Sequence, residues 1–73
     1  MDKRRLTEDE YIAELNRQLK QHEYYKDGME FLPYPANATG KNITGYSVKG
    51  PFKNIGVFAQ VAHKVSEGND LKT

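Results

Sequence analysis

The stretch Ile55 to Glu67, IGVFAQVAHKVSE, leaves the chain the fewest choices. Laid on a helix at ~100° per residue, it gathers Gly56, Gln60, His63, Lys64 and Glu67 into one polar arc. Ile55, Val57, Phe58, Val61, Ala62 and Val65 take the rest of the circle. Read as a strand, the same residues would place Phe58 and Ala62 on a face with Gln60 and Lys64. The helix therefore wins, in spite of three β-branched valines. Its apolar arc is too wide for a single contact, so a sheet and another helix must both cover it.

With 73 residues the chain forms one domain, 1–73, with residues 1–6 and 69–73 expected to fray. A chain of this length buries only ~60% of the surface its unfolded form exposes. Its large apolar side chains are needed for the core and leave little for an enclosed catalytic cavity, which reads against an enzyme. A composition of 37% apolar and 29% charged residues is that of a soluble globular domain and not of a disordered tail. The net charge of +1 argues against a strongly steered nucleic-acid partner. The absence of cysteine excludes disulfides, cysteine-based zinc sites and thiol catalysis. Met1 to Arg5 has the charge of a signal n-region, but no apolar run follows it and no stretch is long enough to span a membrane. The expected location is cytoplasmic, which leaves the sequons at Asn37 and Asn42 without consequence.

Thr7-Glu8-Asp9-Glu10 is a capping box: the Thr7 hydroxyl can take a first-turn amide and Glu10 can reach back to the cap. Leu6 and Tyr11 flank it with the spacing of a hydrophobic staple. Tyr11, Ile12, Leu15, Leu19, His22 and Tyr25 then fall on one side, with Asn16, Arg17, Lys20 and Glu23 on the other, which predicts a helix over roughly residues 8 to 27 ended by Gly28. Met29 to Pro35 carries two prolines and reads as an extended edge segment. Asn37 to Asn42 has the composition of a hairpin loop, and Ile43 to Lys49 alternates weakly as a second strand. Gly50-Pro51 closes that strand, Pro51 or Asn54 starts the second helix, and Gly68-Asn69 stops it. The expected fold is α+β in the order α-β-β-α, with both helices on one face of a two-stranded antiparallel hairpin.

Three groups of residues carry candidate chemistry. His63 and Glu67 stand one helical turn apart, and His22 with Glu23 can add a second imidazole and carboxylate. The spacing lacks the tight H-E-x-x-H pattern, so both histidines read as structural, with no metal and no cofactor expected. His22 should hydrogen bond to a backbone carbonyl or to a hydroxyl such as Tyr25 or Ser66. A second group, Lys41, Lys49, Lys53 and Lys64 among Tyr34, Tyr46, Phe52 and Phe58, has the ingredients of a basic face that stacks on bases. Arginine, the better phosphate reader, is confined to the first 17 residues. The third group is the aromatic set, five tyrosines and three phenylalanines, on a hairpin with two open edges that can accept another strand.

His22-Glu23-x-Tyr25-x-x-Gly28-Met29, Gly45-Tyr46, Val57-Phe58, Ala62-His63-x-Val65-Ser66-Glu67 and Leu71 resemble the YciN family of small bacterial proteins, a domain of unknown function. The likeness runs from about Leu15 to Leu71 and is loosest in the hairpin. It implies a cytoplasmic bacterial protein of compact α+β fold, without a reaction to carry over. It also singles out His22, Glu23, Tyr25, His63 and Glu67 as a cluster of unknown role. The function expected from the sequence is a small non-enzymatic module that binds another protein or itself, with Tyr34, Lys41, Tyr46, Lys49 and Lys53 as candidate binding residues. Nucleic-acid binding through the basic hairpin face is the alternative.

Overall fold

The structure is a computed structural model that describes residues 4–50 and 55–71. Its first helix begins where the capping box places it. The Thr7 amide donates to Glu10 Oε1 at 2.8 Å and the Glu10 amide donates to Thr7 Oγ1 at 3.2 Å, opening α1 (Glu8–Gln21). The helix stops sooner than residue 27. His22 takes extended backbone angles, φ −71° and ψ 139°, and its Nδ1 accepts the Tyr24 amide while its carbonyl accepts the Tyr25 amide. A histidine that satisfies the turn's own donors ends the helix without waiting for a glycine. Gly28, at φ 95°, instead serves a later turn in which the Met29 amide donates to the Lys26 carbonyl.

The hairpin is formed by β2 (Glu30–Tyr34) and β3 (Gly45–Lys49), antiparallel, with Phe31 opposite Val48 and Pro33 opposite Tyr46. Between them the loop includes a 3₁₀ turn, Gly40–Asn42, held to α1 by the Gly40 amide donating to Asp9 Oδ2 at 2.9 Å. The second helix, α2 (Ile55–Gly68), agrees with the wheel: Val57, Phe58, Val61 and Val65 are buried and Ala62 is half-buried. Ile55 is the exception, exposed in the first turn. The helix is closed by the Asn69 side chain, whose Nδ2 donates to the Val65 carbonyl at 3.0 Å, and Gly68 does not take the left-handed cap position. The expected start of this helix at Pro51 or Asn54 lies outside the described residues.

The α+β class holds, but the order α-β-β-α does not. Two further strands, β1 (Arg4–Leu6) and β4 (Asn69–Leu71), pair in parallel at Arg4↔Asn69, Arg5↔Asp70 and Leu6↔Leu71. Residues 4–6 and 69–71, expected to fray, are the residues that form these two strands. Leu6 is 4% exposed and Asn69 6%, and pairing the two segments satisfies backbone groups that burial would otherwise leave without partners. The pair packs against α1 and against the end of α2, so the packing is wider than two helices on a hairpin.

One cluster forms the core: Leu15 and Leu19 of α1, Met29, Phe31 of β2, and the inner face of α2. Phe58 meets Phe31 edge-on at 5.3 Å between ring centres, which ties α2 to the hairpin. Gly50, at φ 152°, sits where a Cβ would lie 3.1 Å from Met29 Cγ and 3.3 Å from Phe58 Cζ, so a side chain there would crowd the core and strain the backbone.

Candidate functional site

Asn16 decides which edge of the hairpin is open. Its Oδ1 accepts the Phe31 amide at 2.7 Å and its Nδ2 donates to the Phe31 carbonyl at 3.0 Å. A single side chain thus bonds β2 as a neighbouring strand would, closing that edge with α1. Phe31 therefore points its backbone groups away from β3. Because antiparallel pairs alternate, Val48 opposite it, and Tyr46 opposite Pro33, must also turn their amides and carbonyls outward, on the far side of β3.

Nothing among the described residues bonds to that far side. Tyr46, Ser47, Val48 and Lys49 are all exposed, and only Gly45 is half-buried. The strand has no proline, no bulge and a single charge at its end, so it lacks the usual devices that blunt an edge. Tyr46 lies edge-on to Phe31 at 5.3 Å, and with Val48 it extends the apolar face of the core to the rim of the sheet.

The candidate binding residues do not form one face. Pro33 and Tyr34 are consecutive, so Tyr34 and Tyr46, which lies opposite Pro33, project from opposite sides of the hairpin. Tyr34 is exposed, as are Lys41 and Lys49. Lys41 belongs to the loop, whereas Lys49 ends the strand that leaves it, roughly 14 Å from Gly45 along an extended chain. Lys53 lies outside the described residues.

The two histidines have separate local partners. His22 is half-buried; its Nδ1 accepts a backbone amide, so its Nε2 carries the proton and donates to Gln60 Oε1 of α2 at 3.0 Å. The partner is thus a side-chain amide and not Tyr25, Ser66 or a carbonyl. Tyr25 leaves the helix but still packs on the core. His63 pairs with Glu67 on the exposed side of α2, and Glu23 is exposed. Among the described residues no three His, Asp or Glu side chains gather into a group that could hold a metal ion.

On α1, Glu14 is a strongly shifted acid. It accepts from Arg17 and from Gln18 Nε2, and the Arg17 hydrogen bond draws its carboxyl down from the usual 4.5 to about 2, against the opposing effect of burial. Gln18 Oε1, at the same turn, is buried without a partner.

Sequence reasoning missed Asn16 and Val48, and it placed Asn69 at the stop of α2 without its side-chain bond to the Val65 carbonyl. Asn16 had a faint signal, since asparagine is a poor residue for the middle of a helix and its side chain competes for backbone groups. No helix among the described residues is long and apolar enough to cross a membrane. Comparison with known proteins returns no matching family model, no matching curated protein and no matching solved structure.

Proposed function

We propose that the protein is a non-enzymatic binding module that takes an extended protein strand along β3, and that a second copy of the chain is its partner. The observation that carries this reading is the outward set of backbone groups at Tyr46 and Val48 on an edge that nothing covers among the described residues. Two β3 strands related by a two-fold axis at Ser47 would place Tyr46 opposite the partner's Val48 and Val48 opposite the partner's Tyr46. Both pairs then fall at hydrogen-bonding positions, and their side chains extend one apolar face across four strands. Gly45 would stand opposite the partner's Lys49, so no like charges meet.

The nucleic-acid reading has less support, because Lys41 and Lys49 stand at opposite ends of the hairpin and Tyr34 and Tyr46 on opposite faces of it.

The test uses the absence of native cysteine. In this register Ser47 faces its own copy at a non-hydrogen-bonded position, about 4.5 Å between Cα atoms, a distance a disulfide can span. Ser47→Cys should crosslink into a dimer under mild oxidation, and Lys49→Cys should not. Sedimentation of the parent should show a mass rising with concentration, abolished by Val48→Lys. A strictly monomeric parent, or equal crosslinking at positions 47 and 49, would refute the self-pairing.

A further inference from the structure

A second site lies where the terminal strand pair meets the hairpin. There α1, the start of β3, the end of α2 and β4 border a cavity of about 530 Å³, within the range of small-molecule sites. The rings of Tyr11 and Tyr46 and the aliphatic side chains of Ile12 and Ile43 belong to its lining, and Asn69 adds a carboxamide.

Asn69 is only 6% exposed, and its Nδ2 donates to the Val65 carbonyl at 3.0 Å. That bond sets which way the carboxamide is turned, since a carbonyl can be met by the nitrogen and not by Oδ1. Oδ1 itself accepts no bond among the described residues. It is not sealed in the interior either, because the buried side-chain oxygen without a partner among them is Gln18 Oε1. An acceptor on a side chain more than nine-tenths buried, which lines a cavity and still meets solvent, is aimed into that cavity. It calls for a donor there. The Tyr11 hydroxyl is the second polar group: burial chiefly raises its pKa above the usual tyrosine value, so it stays protonated and uncharged. Ile43 and Asn69, the buried members of the lining, carry no charge. A ligand group that reaches them must leave its water, which costs a charged group far more than a neutral one. Flat rings also gain from contact with tyrosine rings beyond the area they bury.

We propose that this cavity binds a small uncharged heteroaromatic molecule, a flat ring whose N–H donates to Asn69 Oδ1 while its faces rest against Tyr11, Tyr46, Ile12 and Ile43. The site stands on other observations than the β3 edge and shares only Gly45 and Tyr46 with that strand.

Indole and benzofuran share a shape and differ in the N–H, so they separate the hydrogen bond from burial of the ring. Indole titrated into the isotope-labelled protein should produce saturable shifts at the Tyr11, Tyr46 and Asn69 backbone amides and at the Asn69 side-chain amide. Its own N–H proton should move downfield on binding. Benzofuran should bind about tenfold more weakly, because it leaves Asn69 Oδ1 without a donor. Ser66 is exposed on α2 and lines the cavity, so Ser66→Trp should fill the space and remove indole binding while the rest of the spectrum is kept. Val48→Lys, which breaks the self-pairing, should leave indole affinity unchanged, so that failure of one reading is not failure of the other. Three results would overturn the site: no saturable shift at millimolar indole, equal binding of benzofuran, or indole affinity unaffected by Ser66→Trp.

Discussion

Asn16 shows how much one side chain can determine. Its amide copies the donor and acceptor of a peptide unit, and by doing so on Phe31 it fixes both the distance from α1 to β2 and the direction in which the sheet can grow. Asn16→Leu keeps the volume and improves helix propensity, yet leaves the Phe31 amide and carbonyl in a partly buried place without partners. The expected loss is about 1–3 kcal/mol for each orphaned group that water cannot reach. Chemical denaturation should show this, together with faster exchange of the Phe31 amide. Asn16→Leu at parental stability would mean that the bidentate contact contributes nothing.

At this scale the sequence was only partly legible. Buried Leu15, Leu19, Phe58, Val61 and Val65 follow from helical spacing alone, because apolar burial leaves a periodic trace. Asn16, Asn69 and the ring contacts of His22 leave none. Each acts through one or two hydrogen bonds to particular groups, and a single polar residue has no period.

Among the elements, α1 was readable at its start and misread at its end. A capping box is a local pattern of two side chains and two amides, so four residues suffice to recognise it. The stop at His22 depends on a ring that accepts a backbone amide, which a helical stripe continuing to Tyr25 conceals. This helix also carries the Glu14–Arg17 pair, and its acid response follows from sign. The folded-state pKa of Glu14 is depressed, so its contribution to stability is complete above its ordinary value of 4.5 and is lost as pH falls toward about 2. Urea midpoints should therefore decline across that window in the parent, and Glu14→Gln should flatten the decline. An equal slope in both proteins would assign the acid sensitivity to other carboxylates.

For the whole molecule, the hairpin and its two helices were legible because each has its own punctuation, whereas β1 and β4 were not. Three-residue strands with one buried residue apiece, Leu6 and Asn69, have no alternation to detect and pair across almost the entire chain. Their importance is measurable. Leu6→Ala should cost about 2–5 kcal/mol, as for a core leucine, where a frayed arm would tolerate it freely. A melting temperature unchanged by Leu6→Ala would return the N-terminal segment to the status of a tail.

The parallel direction of β1 and β4 also governs how the molecule responds to force. In an antiparallel pair formed by the two chain ends, both ends leave from the same side, and tension would peel the bonds one at a time. Here the chain enters β1 at Arg4 and leaves β4 at Leu71, at opposite ends of the ladder. Tension between the termini therefore runs along the strands and loads Arg4↔Asn69, Arg5↔Asp70 and Leu6↔Leu71 together. The clasp yields by sliding, all its bonds at once, before α1, the hairpin or α2 bears any load.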